Sequence, residues 1–498
     1  DILPGSGIKA VEEDSLRQMA HGREILSRLR TEVFLSMMQK RVAAEDGTIP
    51  LFVWNPHPYP VNAIIECEMQ LADQNWNETF FDIEVFEGGK KVPSQIEHEA
   101  SNLNLDWRKK LALNTKLPPG SIVRYECRPT AGMSRKMPSR NGQFLFDNGK
   151  MRVLINSRSG LIDSFKIAGT ELVRPGTGRV LVMKDNADPW GVNARSYRKR
   201  LGSFTLMNRA EASEFAGFAG HKLSPVRVIE DGKVRTIVEA LFKYKKSTLR
   251  LRYYLPKHGT QMELHLQVNN QQPDCMYKLS CPFIDKNSRC MAQDIFGRKE
   301  IPGTGEEKVF GQWFAAVSEK YNLALGIICD SGHGLDFYKG EMRYSLMRSP
   351  CYSALPIKDR PLISSDRAHD RIDIGQREFR FRICGGPAND LPGKMERIGT
   401  LFSEAPPALI FFPGNTGKDI EDRNIVELAD GPVVMTCCRC LSDGQSVLRL
   451  FNSSKNKVVT KLSVLDGKIN TEVELLPFEI KNFKIDLSGK TVNEIDGI

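Results

Sequence analysis

Residues 1–45 and the rest of the chain follow different hydrophobic periods, and that switch most constrains the fold. In the first stretch Leu16, Met19, Leu26, Leu29, Val33 and Met37 recur at spacings of three, four and seven. Such spacing places one apolar stripe along a helix. The stretch before it, with Pro4, Gly5 and Gly7, reads as a loop, and Glu12, Glu13 and Asp14 suit the positive end of the helix dipole. Nothing nearby is strongly helical, so partners for the stripe are expected upstream of Asp1. From Ile49 onward the period falls to two, the signature of half-buried strands.

Strand-like runs at 51–54, 63–69, 80–86 and 122–127 are separated by the turn signals Gly88-Gly89 and Pro118-Pro-Gly120. They predict a small β-sandwich over 46–135, about a hundred residues, as such sandwiches run. A polar, basic stretch at 134–141 reads as a linker. Asn148-Gly149 then marks a hairpin turn, and strands recur at 234–243, 249–255, 262–268, 323–329 and 379–384. Roughly 250 residues of strand with little helix predict a large two-sheet sandwich over 136–407. Alternation at 446–451, 458–464 and 483–485 predicts a C-terminal β-domain over 408–498. The fold class is therefore mainly β behind the end of a helical domain.

No apolar run approaches the ~20 residues that a membrane helix needs. The net charge of +9 is diluted over 498 residues with no focused basic stripe and no nucleic-acid module, which ranks a nucleic-acid partner last. The eleven cysteines stand mostly singly in apolar runs and form no spaced framework. Free thiols in a reducing compartment, the cytoplasm, are the expectation, with a periplasmic or secreted location left open. Cys437, Cys438 and Cys440 form the one cluster. Alternation sets Cys438 and Cys440 on one face and Cys437 on the other, against one metal shared by all three, and predicts buried core thiols.

The eight histidines are scattered, without metal-ligand spacing, and no nucleophile elbow or phosphate loop is present. His21 and His57 are assigned to packing and to a boundary loop. From the residues alone the chain reads as a multi-domain β protein with no self-contained active site. Loops of such sandwiches often grip sugars through Trp, Asp and Asn.

Several segments, in order along nearly the whole chain, resemble glycoside hydrolase family 38, the class II α-mannosidases. They are Asp1-Ile-Leu-Pro-Gly-Ser-Gly-Ile8, Val11-Glu-Glu-Asp14, His21-Gly-Arg-Glu24, Asn55-Pro-His-Pro58, Phe146-Asp-Asn-Gly-Lys-Met-Arg-Val153 and Gly160-Leu-Ile-Asp-Ser164. Asp185-Asn-Ala-Asp-Pro-Trp190, Gln312-Trp313, Gly326-Ile-Ile-Cys-Asp-Ser-Gly-His-Gly334 and Leu346-Met-Arg-Ser-Pro350 complete the set. The resemblance implies a retaining hydrolase of terminal α-mannosides whose zinc, nucleophile and acid belong to an N-terminal α/β-barrel. It also implies that the large sandwich is galactose mutarotase-like.

The last zinc-ligand histidine of the family would stand immediately before Asp1. No catalytic residue and no zinc ligand is therefore expected in this chain, which packs on its own barrel in the longer protein and is inactive alone. What it contributes, by the resemblance, are substrate-binding positions: Asp1, then Asp185, Asp188 and Trp190 on one loop, and Asp330, Ser331 and His333 on another. The plainer readings also stand, a packed turn with Trp190 buried and a bland loop histidine. The alternative function is a freestanding carbohydrate-binding protein without catalysis.

Overall fold

Lys9–Met38 is one continuous helix, with Glu12 in its first turn. Its last turns are covered: Phe34 and Met38 pack with Phe52, and Phe34 meets Trp54 at 6.2 Å between ring centroids. The preceding turns keep the predicted stripe bare, with Met19 59% and Leu26 68% exposed. His21 is exposed on this helix rather than packed, because it projects from turns that nothing covers.

The computed structural model describes residues 7–101, 105–130, 132, 144–185, 188–191, 194–218, 220, 223–353, 357–416, 426–429, 431–441, 445–486 and 489–496. Asp1 and the stretch read as a linker, 134–141, lie outside them. The chain divides into two compact units. One comprises 1–27, 138–229 and 236–395, and the other 28–137, 230–235 and 396–498.

The first unit is built on an antiparallel sheet of ten strands and another of six. Ser247–Pro256, Gln261–Asn270, Gly375–Gly386 and Leu323–Cys329 lie side by side in the larger sheet. Arg179–Lys184, Cys275–Pro282, Glu341–Arg348 and Gly334–Tyr338 do so in the smaller one. Alternate residues enter one core: Leu249, Leu251 and Tyr253 from one sheet, Tyr277, Leu279 and Cys281 from the other. The predicted hairpin is present, and Gly149 supplies the positive φ, +83°, that its turn requires. Phe144, Phe146, Met151 and Val153 of its strands join the same core.

The intervening residues of the six-stranded sheet point away from that core, and while Leu181, Met183 and Met276 form a small apolar cluster there, others are charged. Lys278, 0% exposed, donates to Asp336 at 2.5 Å and to Glu307, while Arg198 reaches the other oxygen of Asp336 at 2.7 Å. On the ten-stranded sheet Glu263 accepts from Arg382 at 2.7 Å and lies 3.0 Å from His265. Burial works against the Glu263 carboxylate, but His265 and Arg382 overcome it and pull its pKa down to about 2.

In the second unit a five-stranded sheet faces a three-stranded one across Leu51, Val53, Ile65, Leu111, Leu113 and Tyr125. The polar-looking strand Asp106–Leu117 lies at the centre of the smaller sheet. Ala408–Ile410 pairs with Ile49–Trp54, so this segment from beyond residue 407 completes the first small sandwich. A three-stranded and a four-stranded sheet enclose a separate core around Leu448, Leu450, Leu462 and Ile485. Cys437 is half-buried and Cys438 and Cys440 are exposed, contrary to the buried thiols expected from their apolar neighbours. The reason is position: Val433–Cys440 is an edge strand, and its last residues run past the core.

Within this unit Arg235 is buried with Glu97, which takes its Nε and Nη2 at 2.6 Å each, and it also reaches Glu66. Lys110 lies 2.9 Å from Glu66. Burial opposes the charge on Arg235, but Glu97 and Glu66 outweigh it and raise its pKa.

Removing one partner strands a buried charge, so Glu97→Ala should cost about 3 kcal/mol in urea unfolding. Glu84→Ala, at the exposed pair with Lys91, should cost under about 1 kcal/mol. Because the folded pKa of Glu263 lies below its ordinary 4.5, its stabilisation is complete above that value and lost as pH falls toward about 2. Glu263→Gln should therefore flatten acid unfolding in that window while leaving its course above pH 5, about the top of a carboxylate's titration range, unchanged.

Candidate functional site

Three strand ends of the six-stranded sheet meet: Arg179–Lys184 finishes, Cys275–Pro282 begins and Glu341–Arg348 finishes, with Met276 opposite Arg348. Asp185 follows the first of these. It is buried and accepts two parallel bonds from Arg348, Nε to Oδ2 at 2.9 Å and Nη2 to Oδ1 at 2.8 Å. Arg348 Nη2 also donates to the Asp188 carbonyl at 2.8 Å, and its guanidinium lies 4.9 Å from the centre of the Tyr197 ring. Burial opposes the charge of Arg348, and the Asp185 bonds overcome it and raise its pKa. The Asp188 side chain, also buried, takes the Trp190 amide at 3.0 Å.

Asp185 and Asp188 are thus bonded within the loop, while Trp190 is 38% exposed. A paired carboxylate with two bidentate bonds is committed to its arginine. The two acids are packed within the turn, and Trp190 is partly exposed rather than buried.

The same end of the sandwich gathers residues that sequence reasoning did not select. Asp373 accepts from the Arg348 amide and from Arg377 Nε, each at 3.3 Å. Burial, helped by Glu12 and opposed by Arg377, raises its pKa. Tyr352 donates to Glu12 at 2.6 Å, and Arg377 lies 3.7 Å from the other oxygen of Glu12. Arg348 stood within a quoted motif and could have been chosen. Tyr352, Asp373 and Arg377 follow it in the chain without any spacing that marks them.

Asp330, Ser331 and His333 occupy the turn between Leu323–Cys329 and Gly334–Tyr338. Asp330 pairs with Arg380 at 2.7 Å and takes its amide at 3.1 Å, and Ser331 donates to Asp330 at 3.1 Å. Gly332 has φ +76°, and an added Cβ there would fall 2.3 Å from the Tyr344 hydroxyl, so only glycine fits. His333 is exposed, with Nδ1 3.0 Å from the Gly311 carbonyl. The two loops are anchored by different arginines, Arg348 for one and Arg380 for the other. His57 lies in the loop between Ile49–Trp54 and Val61–Asn75, inside the second unit: it is buried, bonded to the Glu404 carbonyl at 2.8 Å, and burial lowers its pKa.

Among the described residues no group of three or more His, Cys, Asp or Glu side chains could hold a metal ion. The described residues therefore do not fit the zinc that the family resemblance implies, and no step is derived through it. No described helix is long and apolar enough to cross a membrane.

A two-unit, mainly β chain whose larger unit closes its strand ends with paired acids and an exposed tryptophan is the class in hand. Residues 146–356 match the model for the glycosyl hydrolases family 38 C-terminal domain. An alpha-mannosidase from Enterococcus faecalis V583 covers 96% of the chain with a TM-score of 0.71 and 12% identity. A family 38 protein from Enterococcus faecalis covers 97% with a TM-score of 0.73, also at 12% identity. The chain spans 61% and 64% of the lengths of these two proteins, which at such identity share its fold. A galactose mutarotase-like protein from Lactobacillus casei ATCC 334 aligns with 49% of the chain and all of its own, at 11% identity and a TM-score of 0.27, a likeness too weak to carry weight. No curated protein sequence matches the chain.

Arg348→Ala should leave the Asp185 carboxylate buried without its guanidinium partner and cost about 3–5 kcal/mol in urea unfolding. Arg348→Lys, which keeps the charge but loses the fork, should recover part of that loss.

Proposed function

We propose that this chain is the C-terminal part of an α-mannosidase that removes terminal α-mannosides with retention of configuration. The family 38 C-terminal match over 146–356 carries this reading. The fold shared with an alpha-mannosidase across 96% of the chain supports it. Retaining hydrolysis needs two carboxyl groups about 5–5.5 Å apart, one attacking the anomeric carbon and one protonating the leaving oxygen. On this reading both, together with the zinc, are held by a domain that these 498 residues do not include. The chain spans less than two thirds of its two family-related structural matches, which leaves room for such a domain.

The bare stripe of Lys9–Met38 is the surface such a neighbour would cover, since exposed apolar area of this extent invites burial. The chain's own task is positioning. Arg348 and Asp185 hold the loop that presents Trp190, whose ring face suits the C–H face of a sugar. The Asp330–His333 turn offers a second polar edge for sugar hydroxyls. Asp1, outside the described residues, is proposed as a further contact to the bound mannose, and the cytoplasm as the compartment.

The test compares aryl α-mannoside hydrolysis by residues 1–498 and by the full gene product, each with and without a metal chelator. Chelator-sensitive turnover in the longer protein alone is the expected result. Turnover by residues 1–498, or none by either, would sink the assignment, and sugar binding without turnover in both would favour a carbohydrate-binding protein.

A further inference from the structure

Eight of the eleven cysteines are buried, and the other three fall within four residues of Val433–Cys440. In the four-stranded sheet this strand is the edge, paired with Ser446–Asn452. A bulge between Met435 and Cys437 resets the register, so that Cys437 lies opposite Arg449, Cys438 opposite Leu448 and Cys440 opposite Ser446. Past the bulge the pleat alternates again, which puts Cys438 and Cys440 on one face and Cys437 and Arg439 on the other. Both same-face thiols are exposed, and Cys440 Sγ lies 3.6 Å from Ser446 Oγ.

We propose that Cys438 and Cys440 form a surface dithiol that binds one soft monovalent metal ion, with Cu(I) as the ion to test. Two thiolates suffice for this ion, whereas zinc takes four ligands. The alternation that keeps Cys437 away from the pair denies zinc a third thiolate, and no third metal-ligating side chain completes a cluster among the described residues. Two residues along a strand advance roughly 6.6 Å, near the upper limit for a disulfide but short enough for two side chains to rotate toward one ion between them. Binding releases both thiol protons to solvent and leaves a dithiolate–metal unit of net charge −1, with no change of oxidation state.

The test is withdrawal of Cu(I) by the reduced protein from a coloured chelator. The intact chain should take up one ion, and C438S and C440S should each weaken uptake about a hundredfold, the scale of losing a tethered second ligand, while C437S changes it less than about twofold. Copper-edge X-ray absorption on the loaded protein should report two sulfur neighbours. Uptake that survives in C438S/C440S, equal loss in C437S, or three sulfurs around the copper would each overturn the pair.

Discussion

Burying an ammonium or guanidinium costs several kcal/mol unless a carboxylate is buried with it. Among the described residues Lys278, Arg348 and Arg235 are examples. Lys278 sits between Asp336 and Glu307, Arg348 forks onto Asp185 and Arg235 onto Glu97. Each pair joins strands or loops far apart in the chain: 163 residues separate Arg348 from Asp185, and 138 separate Arg235 from Glu97. Neither member can be solvated alone once the sheets close. The pairs therefore specify which segment lies beside which, while the apolar core supplies most of the stabilisation.

Sheet geometry explains why these pairs exist. A strand has two faces, and in the large sandwich one face of each sheet enters a core of aliphatic and aromatic side chains. The other face of the six-stranded sheet carries Lys278, Ser280, Asp336 and Arg343 instead. Loops such as the one after Lys184 fold over strand ends and bury some of these charges. At the Asp185–Trp190 loop the Asp185 carboxylate and the Asp188 carbonyl close on Arg348, and Trp190 is partly exposed. A loop held by a bidentate ion pair is stiff, which suits a role in positioning a sugar ring.

Much of the fold was legible in the residues because apolar periodicity is a local property. The hairpin follows from its Asn148-Gly149 turn signal, and the core strands of the large sandwich follow from alternation. Asp106–Leu117 escaped notice because Arg108, Lys109 and Lys110 mask its pattern, although Lys109 is buried and paired with Asp106. Leu391–Ser403 forms a helix with Pro392 and Gly393 in its first turn. Proline is tolerated in a first helical turn, where its missing N–H has no partner to lose. At the candidate site the loops were legible, but the roles within them were not. Asp185 carries the same side chain whether it binds sugar or an arginine 163 residues away, and Asp188 whether it binds sugar or the Trp190 amide.

By itself the amino-acid order determined the β class, the change from helix to strand, and the ordered family 38 likeness, since each rests on neighbouring residues or on short spacings. Only the folded chain decided that Asp185 and Asp188 turn inward while Trp190 does not, and that Cys438 and Cys440 share an open edge. Exposure and ion pairing depend on which distant segments pack together, and no local pattern encodes that partner choice.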